Sequence, residues 1–393
     1  VKVLYVISSH ESGRGGHYHS LDHISRSLAD GLDARIVSIG LNESAVLLEN
    51  PLYLGHLDFE WWNVLGLDRR FREVFEQFTP DLIHCFDMGS HLMLQLLPST
   101  RGRTMVLNRC GGPNPRRRFC AVADTMIVFS RENYDWFAGN RRFRDSTLHL
   151  VPNRVRAVEI LPLGERTHAR PQDTFGFVRI ARIGRYYERS IRQSIELVRR
   201  LRDRHRVHLH VIGVVEDPEV LSELEDEVRR DGLPVTLITG GETRQAARLL
   251  YLADAVIGTG RGAMEAMALG LPVLAPVQNA ETPVLVSEHT FDDLFATNFS
   301  ERGTVDPVRA AGAMEAIEAM ITDPERYRRL AEQSAEWFDT HFSIDGARER
   351  YMEVYRMAVE KGPRPLLWRN ALHVVQQLKL IRQRQRATRA RGG

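Results

Sequence analysis

Some features are scarce in this 393-residue chain, and each scarcity removes a class of explanation. There are three cysteines, Cys85, Cys110 and Cys120. So small and odd a number builds no disulfide framework, and reduced thiols in a cytoplasmic setting are expected. No apolar run approaches the roughly 20 residues that a bilayer-crossing helix needs. The opening stretch, Val1–Ser9, contains Lys2 and is followed by no cleavage pattern, which predicts a first β-strand and no secretory leader. Acidic residues are absent after Glu360, where nine basic ones stand; with +2 on the whole chain, the remainder carries −7. That asymmetry predicts a partner for the tail alone. Internal repeats and low-complexity tracts are also missing.

What is present is an ordinary globular composition, 43% apolar and 26% charged, in a chain long enough to build a large core in each of two domains. Short β-branched runs alternate with amphipathic segments, the pattern of parallel sheets wrapped by helices. Strands are expected at 2–8, 35–39, 81–86, 105–108, 125–130 and 148–151, and a helix over 69–78. The stretch 156–174, with Pro162, Gly164 and Pro171, reads as a linker. A second alternation follows, with strands at 178–183, 207–213, 235–239, 255–257 and 272–276. Its helices fall at 190–204, 221–230, 244–251 and 263–269. Two such arrays in tandem predict two Rossmann-like α/β domains facing a cleft: 1–165, then 175–343, with 344–393 as C-terminal helices returning to the first domain.

The densest chemical signal is Gly258-Thr259-Gly260-Arg261-Gly262-Ala263-Met264-Glu265, running on to Gly270 and Pro272. A glycine-rich turn opens directly into a helix, where bare N–H groups favour an anion and glycines let a phosphate approach the backbone. Glu265, placed in that helix's first turn, suits two ribose hydroxyls; a plain strand-to-helix turn with a favourable acid explains the same residues. Gly184-Arg185, followed by Arg189, offers guanidinium groups to phosphate oxygens, or else belongs to a solvated arginine-rich face with Arg179, Arg182 and Arg192. In the first array, His84 and Asp87 end one strand, and Asn108, Arg109 and Cys110-Gly111 end the next, where open α/β sheets bind ligands. His17, His19 and His23 lack the further ligands and supporting shell of a metal site, and no metal is expected. Arg116-Arg117-Arg118 is either a solvated run or a contact for an acceptor phosphate.

Glu265-Ala266-Met267-Ala268-Leu269-Gly270-Leu271-Pro272-Val273 resembles the Glu-Ala-Met-Ala-x-Gly-x-Pro-Val stretch of retaining GT-B glycosyltransferases of the family 4 group, among them polysaccharide-building enzymes. Arg14-Gly15-Gly16, Asp124–Ser130, Val151-Pro152-Asn153 and Gly184-Arg185 resemble further segments of that family. The resemblance implies a GT-B fold, a UDP- or GDP-linked sugar donor and metal-independent transfer with retention of configuration. It gives Glu265 the ribose, Arg185 and Arg189 the diphosphate, and Gly15 and Gly16 the donor phosphates. Gly258, Gly260, Arg261 and Gly262 would complete the donor site. His84, Asp87, Asn108 and Arg109 would contact the sugar or a saccharide or lipid-linked acceptor. Two departures stand out. The first glutamate of the family's Glu-x(7)-Glu pair falls at Ile257, and the histidine many relatives carry near Cys110 is missing. A nucleotide-sugar epimerase of the same fold and a catalytically inactive GT-B subunit therefore stay open.

The tail places Leu367, Ala371, Val374, Leu378 and Ile381 on one helical face with arginines crowding its end. This is the composition of an interfacial helix, so peripheral attachment to an anionic membrane surface is expected, and nucleic acid is not the expected partner. The other reading is that the stripe packs on the first domain.

Overall fold

The computed structural model describes residues 1–9, 13, 15–116 and 120–392, with side chains through 387. Arg14, Arg117 and Arg118 lie outside these. The chain divides into two compact units, Val1–Arg154 with Ile344–Gly393, and Val155–Ser343.

In unit 1 the strands are β1 (Lys2–Ser9), β2 (Asp33–Gly40), β3 (Tyr53–Asp58), β4 (Leu82–Cys85), β5 (Thr104–Arg109), β6 (Thr125–Val128) and β7 (Thr147–Leu150). They form one parallel sheet in the order β3-β2-β1-β4-β5-β6-β7. Parallel strands covered on both faces read as unbroken apolar runs, and residues 3–7 of β1 are fully buried. The helices are α1 (Gly16–Leu28), α2 (Val64–Gln77), α3 (Met88–Leu94) and α4 (Arg131–Ala138).

Unit 2 carries β8 (Phe175–Ile180), β9 (Val207–Ile212), β10 (Val235–Ile238), β11 (Ala255–Ile257), β12 (Val273–Ala275) and β13 (Val284–Leu285), ordered β10-β9-β8-β11-β12-β13. All pairs are parallel except β12–β13. Around it lie α5 (Glu188–Leu201), α6 (Pro218–Asp231), α7 (Arg261–Ala268), α8 (Phe291–Ala296), α9 (Pro307–Ala311), α10 (Ala313–Thr322) and α11 (Pro324–Trp337). Asp217 caps α6 by accepting from Glu219 N, Pro218 fits its first turn, and Gly232 ends it at φ +57°.

Two expectations change, and the expected return of the C-terminal helices to unit 1 is seen. The boundary moves from 165 to 154/155, because the supposed linker packs on unit 2: Val155 bridges Ser343, and Leu161 N donates to Arg248 O. Residues 244–251 fall in a 3-10 segment, Gly241–Leu252, broken at Gln245, and not in an α-helix. The chain returns to unit 1 through α12 (Arg348–Lys361), whose Tyr351, Val354, Tyr355 and Ala358 enter the core beside β1 and β4.

The last helix, α13 (Leu367–Gly392), also lies on unit 1. Val374 packs with Leu92 and Ala121, and Ile381 joins the cluster containing Phe71 and Phe75. Asn370 Nδ2 donates to Val122 O at 2.7 Å, and Gln385 Nε2 donates to Phe59 O at 2.8 Å. The stripe read as membrane-facing is a docking seam, and burying a side chain such as Ile381 contributes about 1.5–3 kcal/mol to it.

Candidate functional site

In an open α/β sheet, ligands gather beyond the strand C-termini where the strand order reverses. In unit 2 that point lies between β8 and β11. The loop leaving β11 is Gly258-Thr259-Gly260, and it turns straight into α7. A Cβ on Gly258 would lie 2.7 Å from both Cα and N of Ala263, so only glycine lets strand and helix approach this closely. Gly260, the residue before the helix, has φ +49° and ψ −121°, a region that excludes most side chains. Gly262 has open space where a Cβ would stand. The helix start is therefore lightly substituted backbone of the kind that receives an anion, with Gly258 N and Gly262 N already donating to Leu274 O and Thr259 O.

Glu265 lies in the second turn of α7 and not the first, since the helix begins at Arg261. Its Oε1 accepts a hydrogen bond from Arg261 Nε at 2.6 Å, and both side chains are partly exposed. Ile257, where the family carries its first glutamate, is fully buried in the core under β11. No carboxylate at that position points to a ligand here.

The two arginines after β8 differ. Arg189 Nη2 donates to the carbonyls of Gln278 at 2.6 Å and Val277 at 3.4 Å, which keeps it at the end of β12. Arg185 turns toward α6, where Glu223 and Glu219 of that helix, its cap Asp217 and Glu188 at the start of α5 surround it at 2.9–3.5 Å. Those carboxylates push its pKa up, with Glu223 the largest cause. Arg189 is thus held by the segment that follows β12, the strand paired with β11, whereas Arg185 is held by carboxylates.

Arg179, which the alternative reading grouped with a solvated arginine-rich face, lies instead beside the glycine loop. It is fully buried on β8, and burial pushes it down to about 10. Nη1 donates to Ile257 O at 3.2 Å and reaches Thr259 Oγ1 at 3.5 Å, while Nη2 donates to Ser190 Oγ at 2.9 Å. A positive charge is thus fixed beneath the glycine loop. The signal was a charged residue inside the apolar run Phe177-Val178-Arg179-Ile180. Residues 297–303 add two more groups: Asn298, at φ +60°, lies against Gly260, and Glu301 acts electrostatically on Arg179. Asn298 Oδ1 and Glu301 Oε2 are buried without a hydrogen-bond partner.

In unit 1 the reversal lies between β1 and β4. Asp87 closes it, accepting from Ser8 N at 2.6 Å, Ser8 Oγ at 2.7 Å and Ser90 N at 2.8 Å. It joins two strand ends and caps α3, which leaves it little to offer a sugar. His84 is fully buried, its Nδ1 lies 2.8 Å from Tyr355 Oη, and burial lowers it to about 3. It is a core residue and no sugar contact. Asn108 is 1% exposed, and its Nδ2 donates to Cys110 Sγ at 3.0 Å. Burial pushes the Cys110 thiol up to about 12, so no thiolate replaces the missing histidine. Arg109 Nη2 donates to Pro113 O at 2.8 Å and braces the loop after β5. Gly15 precedes α1 in extended backbone, and Gly16 opens that helix with free space at its Cβ position. Asn153 Oδ1 accepts from Ser20 Oγ and Arg154 N, a structural tie.

No protein-family model and no characterised sequence relative matches the chain. Solved structures share its fold. Anabaena HepE in complex with UDP superposes with a TM-score of 0.65 at 16% identity, covering 91% of this chain and 100% of that one. A glycosyltransferase from Rickettsia africae gives 0.65 at 11%, covering 91% and 98%. A Listeria monocytogenes protein described as a UDP-N-acetylglucosamine 2-epimerase gives 0.57 at 15%, covering 93% and 98%. At these identities the likeness speaks of architecture, and that architecture is the GT-B fold: two Rossmann-like α/β domains with a C-terminal helical region.

Proposed function

We propose that this chain is a retaining glycosyltransferase that takes a sugar from a UDP- or GDP-linked donor and passes it to a saccharide or lipid-linked acceptor. The observation that carries the reading is the lightly substituted helix start at Gly258–Gly262 with Glu265 one turn on and Arg179 buried beneath. That set accepts a phosphate and a ribose together. The UDP held by HepE, a protein of the same fold, supports a nucleotide ligand.

In this mechanism Glu265 accepts hydrogen bonds from the ribose hydroxyls. Arg189 offsets charge on the departing diphosphate, joined by Arg185 once it leaves its carboxylates; such stabilisation acts where charge develops. Gly15 and Gly16 supply amide donors to phosphate. The acceptor hydroxyl attacks the face the diphosphate leaves, and its proton passes to a leaving phosphate oxygen. Asn298 and Glu301 are the polar groups available to hold sugar hydroxyls in place of a carboxylate at Ile257. Arg109, partly exposed at the end of β5, keeps the acceptor side, and the buried Asn108 does not reach it.

The epimerase reading has the Listeria fold neighbour behind it. Against it, His84 and Asp87 are engaged inside unit 1, where acid–base groups would be needed. The test is to incubate the protein with a panel of nucleotide sugars, with and without saccharide and lipid-linked acceptors. Acceptor-dependent nucleotide release and an unchanged anomeric configuration in the product are expected, with or without a chelator. Epimerised nucleotide sugar with no glycoside, or no turnover of any donor, would refute it.

A further inference from the structure

The buried seam of α13 leaves the other side of the helix to solvent, and that side is not the usual polar one. Trp368 is 88% exposed, Leu372 63% and Val375 49%. Spacings of four and three put these residues on one stripe. Continued by the same steps, the stripe reaches Lys379, Arg382 and Arg386, all exposed. The outer face is thus apolar in its first half and basic in its second.

The charges of the second half are not neutralised locally. Lys361 and Arg364 meet Asp124, and Arg369 meets Asp145. Beyond Arg369, Lys379, Arg382 and Arg386 form no ion pair among the described residues, and no acidic residue follows Glu360. Arg382 lies over the Trp61 ring at 4.7 Å, and Trp61 meets Trp62 edge-on at 5.9 Å. Trp62 is 54% exposed and Leu65, at the start of α2, 78%. More apolar surface, aromatic and aliphatic, therefore adjoins the basic half. Asp58 and Glu60 are the acidic residues of that neighbouring segment.

We infer that the outer face of α13 docks the protein on an anionic phospholipid surface. Trp368, Leu372 and Val375 enter the boundary between headgroups and acyl chains, and Lys379 and Arg386 meet the headgroup phosphates. The chemistry of both halves selects this occupant. A nucleic acid would satisfy the basic half and leave Trp368 and Leu372 in water. A second copy would cover the apolar half and bring two acid-free basic ends together. Lipid satisfies both, because interfacial helices take apolar area and cationic charge at once. No described helix is long and apolar enough to cross a membrane, so the attachment is to the surface. None of the residues used here has a part in the proposed activity, so the inference stands or falls apart from it.

Flotation of the full chain with vesicles tests it, using phosphatidylcholine alone and an equal mixture with phosphatidylglycerol. Binding to the mixed vesicles, weakened by salt, is expected. Trp368→Ser with Leu372→Ser lowers partitioning about ten-fold or more, since the apolar area removed is what enters the interface. Lys379→Glu with Arg386→Glu removes the preference for anionic lipid, again about ten-fold or more. All four residues are exposed, so both variants keep the wild-type unfolding temperature, and truncation of the seam is avoided. Equal binding to the two vesicle types would overturn the inference, as would wild-type flotation of either double variant. A vesicle-free dimer abolished by the Trp368 variant, or an oligonucleotide probe retained where vesicles are not, would overturn it in favour of those occupants.

Discussion

Each unit has its own sheet of mainly parallel strands with one reversal of strand order, yet they treat the strand ends in opposite ways. Unit 1 closes its reversal with side chains: Asp87 joins β1, β4 and α3, and His84 turns inward to Tyr355. Unit 2 leaves its reversal to bare glycine backbone with a buried arginine beneath. Side chains that satisfy one another rigidify a scaffold, whereas unsubstituted amides at a helix start wait for an anion. On the proposed reading the nucleotide belongs to unit 2, and unit 1 contributes the Gly15 and Gly16 amides, its scaffold and the acceptor residues.

The largest expected effect comes from breaking the bare loop. Gly258→Ala forces a Cβ against the backbone of Ala263, displacing the loop, and turnover falls about a hundred-fold. Gly262→Ala meets no neighbour, so it folds with unchanged thermal stability while its methyl crowds the anion's approach. Nucleotide affinity in that variant is measured by calorimetry. Unchanged affinity would show that the helix start is not the phosphate site.

A smaller effect separates the two arginines. Arg189→Ala lowers kcat about a hundred-fold, the usual scale for losing a donor to developing charge. Arg185→Ala lowers it less than about ten-fold, because part of what Arg185 does is hold Glu223 and Glu188. Steady-state kinetics on both variants with a saturating donor give the ranking, and the reverse order would place Arg185 on the diphosphate.

The contrast extends to acid. Burial holds His84 at about 3 and His91 at about 4 and lowers His56 and His149 in unit 1, against His210 at about 4 and a lowered His208 in unit 2. Folded values below the unfolded value of roughly 6.5 mean that the unfolded chain binds protons first. The stability these histidines contribute is complete above that pH and is lost as pH falls toward the folded values. In unit 2 the depressed groups are largely solvent-facing carboxylates such as Glu188 and Asp231, whose losses begin only below their ordinary range. Unit 1 therefore loosens first between about pH 6 and 4. Hydrogen exchange followed through that range reads the order, and simultaneous loosening of both units would contradict it.

Much of this was legible in the sequence because parallel strands read as apolar runs and a glycine-rich turn has few other uses. The motif from Gly258 to Pro272 gave the β11–α7 turn and its ending at Gly270, which adopts φ +65°. Other features required the fold. β3 escaped because Gly55, His56 and Asp58 break its apolar pattern at the sheet edge. The four residues of β4 are all buried, so alternation does not say which way His84 points. The partners of Arg185 on α6 are more than thirty positions away. Most tellingly, α13 is apolar on two sides, and only the buried positions Val374 and Ile381 show which side faces the protein.

The central claim, that unit 2 holds the nucleotide through Glu265 and the loop before it, is tested most directly by calorimetry. UDP and GDP are titrated into the wild type, Glu265→Ala and, as the unit 1 counterpart, Asp87→Asn. A charge-assisted hydrogen bond contributes about 1.5–3 kcal/mol, so Glu265→Ala weakens whichever nucleotide binds by roughly ten-fold or more. Asp87→Asn leaves that affinity unchanged. Equal affinity of the Glu265 variant and the wild type, or a loss confined to the Asp87 variant, would contradict the account.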